Sequence, residues 1–240
     1  MAALRIVERL RAAARHRVAG DRGFTLPELL VAMLVTSIVL AGMAGIYEAT
    51  VRTNSITQTQ VDATNDARVA VESLSRDLRT AVLPSQLQDL ANGDAAFITG
   101  EAQKVQFYAN IDNPDNTIGP SRVTFELKSD GSLVRTVQQP NAHAADDFDY
   151  QYCSPGPGCT TIKTFVLATG VDATSPLFVY FDNSGNQMAT PLTAGQLADV
   201  DSIEITVSVQ KGNAFATVPA TTYVERVSLP NHDSVPRTLT

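Results

Sequence analysis

Histidine and cysteine are scarce in this chain, with three of the first and two of the second in 240 residues. That leaves little from which to build a metal centre, because no histidine stands near Cys153 and Cys159 in sequence to complete a ligand set. Recognisable catalytic groupings are missing as well. There is no Ser-His-Asp order, no nucleophile elbow, no phosphate loop and no carboxylate pair in a recognisable setting, so no enzymatic activity and no cofactor are expected. Charge is absent from one long stretch: no ionisable group stands between Glu28 and Tyr47. At a rise of about 1.5 Å per residue, a helix from Phe24 through that stretch reaches roughly the 30 Å of a bilayer core.

The flank before the apolar run is basic, and the long remainder of the chain is acidic. Residues 1–23 hold Arg5, Arg9, Arg11, Arg15, Arg17 and Arg22 against Glu8 and Asp21, a net charge of +4, and the remaining 217 residues carry −11. The positive-inside rule then puts the N-terminus in the cytoplasm and the bulk outside. A basic flank beside a membrane span already accounts for the arginines, and no nucleic-acid partner is predicted. Glu28 is the anomaly, since an unpartnered carboxylate within a membrane costs on the order of 2.5 to 3.5 kcal/mol at mid-depth. A signal peptide and a plain signal anchor are the ordinary readings of such a run. It exceeds the usual apolar length of a signal peptide, and a plain anchor leaves Glu28 unexplained.

Gly23-Phe24-Thr25-Leu26-Pro27-Glu28, followed by an apolar helix, resembles the N-terminal signal of type IV pilins and type II secretion pseudopilins. The resemblance implies a leader at 1–23, cut between Gly23 and Phe24 by a prepilin peptidase that also N-methylates Phe24. It also implies that Glu28 serves assembly with other minor and major pilins through the N-terminal helix. The expected protein is single-pass in the cytoplasmic membrane and then part of an extracytoplasmic filament or pilus. Pro27 departs from the commonest pattern, but it falls among the first helical residues, whose N–H groups lack intrahelical partners anyway.

Beyond Tyr47 a helical pattern continues. Ala67, Val71, Leu74, Leu78 and Ala81 share one face, with Asp66, Arg68, Glu72, Arg76, Asp77 and Arg79 on the others. A helix over 24–83 is expected, membrane-spanning over 24–47 and ended by Pro84. The stretch Arg68 to Ala81 is similar to that of W-type minor pilins and J-type pseudopilins, where a Leu-x-Arg-Asp-Leu/Ile-Arg core precedes a large β head.

Residues 84–240 read as an extracytoplasmic β-rich head. Strands are expected at 105–108, 123–127, 133–137, 162–167, 177–181, 203–209 and 223–229. Asp130-Gly131 predicts a two-residue hairpin that sets Leu127 against Val134 and Glu126 against Arg135, with Val123, Phe125, Leu127 and Val134 on the core face. The fold class is α+β, pilin-like, with a long helix against an antiparallel sheet.

Cys153 and Cys159 flank Ser-Pro-Gly-Pro-Gly. Outside the cytoplasm a disulfide is expected there, with a pair of free thiols as the alternative. The stretches 112–116 and 182–186 carry oxygen ligands suited to Ca²⁺, but a plain turn explains them better. The functional expectation is a minor pilin or pseudopilin in the priming or tip complex of a pilus or secretion filament. The alternative is a head that itself acts as an adhesin or a DNA-receptor module, against which the acidic charge argues.

Overall fold

The computed structural model describes residues 23–84, 95–114, 117–142, 150–212, 215 and 217–229. The leader arginines, the 146–149 acidic run, His143, His232 and the tail from Pro230 lie outside the described residues. The chain divides into two compact units, Met1–Thr53 and Asn54–Thr240. Helix α1, Leu26–Leu78, contributes to both.

Within the first unit α1 is exposed along its whole described length, and its apolar side chains, among them Leu30, Met33, Leu34, Ile38 and Leu40, are each about 60% exposed. It is long and apolar enough to cross a membrane. Two of its hydroxyls are satisfied by the helix itself: Ser37 Oγ donates to Leu34 O and Thr50 Oγ1 to Ile46 O, both at 2.8 Å. Such groups therefore cost little in an apolar setting.

Within the second unit the expected helical stripe is buried. Ala63, Ala67, Ala70, Leu74 and Leu78 are wholly inaccessible, with Val71 nearly so, and Arg68, Glu72, Arg76 and Arg79 are exposed. The helix ends at Leu78, five residues short of the expected Leu83. Pro84 is not what stops it. Thr80 N and Ala81 N donate to Asp77 O and Leu78 O, tightening the last turn, and Ala81 then bridges Ala109 while Val82 N donates to Tyr108 O at 2.9 Å. A sheet partner takes the chain before the proline is reached.

Among the described residues nine strands make two antiparallel sheets. The first runs β1 (Phe97–Gly100), β2 (Lys104–Ala109), β3 (Ser121–Leu127), β4 (Leu133–Gln138) and β5 (Ile162–Ala168), in that spatial order. The second contains β6 (Phe178–Phe181), β7 (Gln187–Met188), β8 (Ser202–Val209) and β9 (Thr221–Ser228), in the order β7-β6-β8-β9, with a single-turn helix α2 (Ala194–Leu197) before β8. All seven expected strands are present; β1 and β7 are additional. Alternation buries Val105 and Phe107, Val123 and Phe125, and Ile203, Ile205, Val207 and Val209 with the α1 stripe in one core. The fold is thus α+β, a long N-terminal helix packed on antiparallel sheets.

The β3–β4 hairpin corrects the expected register by one residue. Leu127 pairs with Leu133, Glu126 with Val134 and Phe125 with Arg135. Gly131 N donates to Lys128 O and Lys128 N to Ser132 O, and only Gly131 has positive φ, at 79°. The loop is therefore a turn closed by a left-handed glycine and not a two-residue primed turn, which needs positive φ at both central positions. A one-residue slip exchanges the faces of a strand. Val134 leaves the core face, and Arg135 enters it.

Candidate functional site

At the N-terminal end of α1, Thr25 O accepts the first helical bond, from Leu29 N at 3.1 Å. Thr25-Leu26-Pro27-Glu28 has the spacing of a capping box, which puts Glu28 in the first turn. A carboxylate there faces the partial positive charge of the helix terminus. Pro27 is the second helical residue and forfeits no bond.

Ahead of the helix, Gly23 and Phe24 are non-helical and exposed, Phe24 by 81%, and nothing lies within 4 Å of where a Cβ on Gly23 would stand. The bond between them is open to an approaching enzyme. Glu28 is also exposed, on a helix face shared with Pro27, Val31, Ala32, Val35 and Thr36, and it makes no ion pair among the described residues. An amphiphilic end of this kind, one carboxylate above an uncovered apolar helix, needs lipid or neighbouring helices around it.

Cys153 and Cys159 form a disulfide, with their Cα atoms 5.5 Å apart. The loop they close is tied to the first sheet, because Gln138 Nε2 donates to Cys153 O at 2.6 Å. The Asp182 loop is a turn. Its carboxylate accepts from Asn186 N at 2.8 Å, Ser184 N at 2.9 Å and Asn186 Nδ2 at 3.1 Å, and these bonds, led by those from Asn186, hold its pKa below the ordinary aspartate value. The 112–116 stretch is described only through Pro114; there Asp112 Oδ2 lies 3.4 Å from Lys163 Nζ, and Asn113 Oδ1 accepts from Ile118 N and Gly119 N. No cluster of three or more metal-ligating side chains occurs among the described residues.

Charged side chains also meet inside the second unit, at places that helical periodicity does not indicate. Asp77, expected on an outer face of α1, is 4% exposed and accepts a hydrogen bond from Arg135 Nε on β4. Asp66 holds Lys211 Nζ at 2.6 Å. The one available signal for the first pair is Arg135 itself, an arginine that shares a strand face with Leu133 and Val137.

Comparison with known proteins finds one family. Residues 19–44 match the model of the prokaryotic N-terminal methylation motif. No curated protein and no solved structure matches the chain. The matched segment spans Gly23, Phe24 and Glu28 together with the first part of α1, and it supports a type IV pilin-like protein, processed by a prepilin peptidase and assembled with other pilins.

Proposed function

We propose that the chain is a minor pilin or pseudopilin, a structural subunit and not an enzyme, that works in the priming or tip complex of a type IV pilus or type II secretion-like filament. The observation that carries the reading is the methylation motif at 19–44, set on an exposed apolar helix with Glu28 in its first turn. The basic leader is retained in the cytoplasm, and residues 1–23 are removed. Cleavage between Gly23 and Phe24 frees an α-amine, methylated on Phe24, that the uncut chain does not possess. That amine answers the charge of Glu28 on a neighbouring subunit as the apolar helices pack side by side. The Leu74-Ser75-Arg76-Asp77-Leu78-Arg79 core supports the W-type or J-type assignment, and a β head of this size suits a minor subunit better than a bulk one.

Intact-mass and N-terminal peptide analysis of the chain extracted from its native membrane tests the reading. The expected mature chain begins at N-methylated Phe24. A mature chain that starts elsewhere, or that keeps its leader, overturns it.

A further inference from the structure

Beside the Asp77 pair, α1 carries polar chemistry that neither the core nor the N-terminal processing employs. Arg68, Glu72, Ser75 and Arg76 of α1 and Arg79 just after it, with Tyr223 and Glu225 of β9, line a groove of about 580 Å³. Ser75 is 5% exposed, and its buried Oγ has no hydrogen-bond partner. A buried hydroxyl left unmade is costly, so the groove is incomplete as it stands.

Among the described residues strand β9 is the outer strand of its sheet, paired to β8 alone. Its other edge therefore presents backbone N–H and C=O groups that are free to template a further strand. A strand added there extends the face that carries Thr221, Tyr223, Glu225 and Val227, and its inward side chains arrive beside α1. Along the helix, Arg68 and Arg76 are separated by about 12 Å at helical rise, the length of about four extended residues.

Charge selects the occupant. Arg79 is held by Glu225 at 3.2 Å. Arg76 is 71% exposed, and its nearest carboxylate, 4.0 Å away, is Asp77, which is already engaged by Arg135. Arg68 makes no ion pair among the described residues. Arg68 and Arg76 therefore have no closer ion-pair partner along a groove whose floor is Val71 and Tyr223, and with Glu72 between them its three arginines still outnumber its two glutamates. From this we infer that an extended acidic segment of a second protein subunit adds to the free edge of β9, with its carboxylates on Arg68 and Arg76 and its apolar side chains on Val71 and Tyr223. The inference rests on the reading of the chain as a filament subunit, and it names one surface through which that subunit engages a partner.

The test uses the full chain in detergent micelles and blocked, fluorescently labelled peptides of about eight residues, the length of a typical edge strand. A peptide reading Glu-Thr-Val-Thr-Glu-Thr-Val-Thr, which puts Glu and Val together on one strand face and Thr on the other, is expected to bind and to slow hydrogen exchange of the β9 amides. Its Val/Lys counterpart is expected to bind at least about tenfold more weakly. Both arginines are exposed, so R68E/R76E should melt like the wild type and lose Val/Glu binding by a similar factor. Equal binding of the two peptides, unchanged affinity in R68E/R76E, binding without protection of β9, or no binding of the Val/Glu peptide overturns the inference. The mass of the mature N-terminus, read on the same preparation, reports separately on processing. A chain that starts at Phe24 and binds no peptide loses only the groove.

Discussion

Asp77 and Arg135 show what a single misplaced residue costs. Each would be expensive to bury alone; together, 58 positions apart in sequence, they meet with 6% and 19% of their side chains exposed. Such a pair adds little net stability over apolar residues of the same volume, yet removing one member leaves an uncompensated charge. Asp77→Ala should therefore destabilise the second unit by about 3 kcal/mol, and Asp77→Leu with Arg135→Met should recover most of it, as read from urea midpoints. If the double variant is no more stable than the single one, the pair is not what makes Asp77 sensitive. Gly170 is a second such position. Its φ is +73°, and a Cβ there would stand 2.5 Å from the Gln210 carbonyl oxygen, in a segment where Gln210 N donates to Gly170 O. Gly170→Ala combines left-handed backbone with a backbone clash and is expected to cost at least about 2 kcal/mol by the same assay. Neither effect is legible in the sequence, because each depends on which distant atom the fold brings close.

Elements are more legible than contacts. Alternating apolar residues mark β2, β3 and β8 plainly, and the three- and four-residue spacing of Ala67, Val71, Leu74 and Leu78 marks the buried stripe of α1. What periodicity does not carry is the manner of ending. Helix α1 stops where Ala81 finds Ala109, and the β3–β4 register is set by the single left-handed Gly131. Strand β1 has an irregular register between Phe97 and Thr99, and β7 is two residues long, too short for any pattern. Asp130, Asp172 and Asp182 brace loops by accepting backbone N–H bonds two residues on, from Ser132, Thr174 and Ser184, each at 2.9 Å. These bonds and those of neighbouring side chains hold all three carboxyls below the ordinary aspartate value. A depressed carboxyl stabilises the fold above its unfolded pKa and loses that contribution as pH falls through its folded one. Amides of the three loops should therefore lose hydrogen-exchange protection as the solution is acidified below the usual carboxylate range, before the β8 core does; simultaneous loss would contradict the bracing role. The disulfide closes so small a loop that its removal in Cys153→Ser/Cys159→Ser is expected to cost only about 2 kcal/mol on the chain-entropy model, measured by thermal melting.

At the scale of the whole molecule, the proposed function makes one carboxylate the link between the apolar segment and assembly, a proposal that rests on composition and not on contacts. Between Thr25 and Glu48 there is no lysine, arginine or histidine to answer Glu28. On the proposed function the candidate partner is the α-amine that cleavage at Phe24 would create. Within one chain the two groups lie about one turn apart on the same helix end, where the geometry for pairing is poor. A neighbour displaced by a small axial step offers its amine to the carboxylate while the exposed faces of Leu30, Leu34 and Ile38 find cover. Glu28→Gln should then leave membrane insertion, leader removal and the fold of the second unit intact, but weaken incorporation into the filament or its priming complex. Glu28→Leu separates the two explanations of that defect. It makes the segment more apolar, so a role limited to solubility or insertion predicts assembly at least as good as wild type, whereas a pairing role predicts the same defect as Gln. The measurement is co-purification with partner pilins at matched expression, together with the mass of each mature N-terminus. Wild-type recovery of Glu28→Leu, processed at Phe24, would show that Glu28 does not register one subunit against the next.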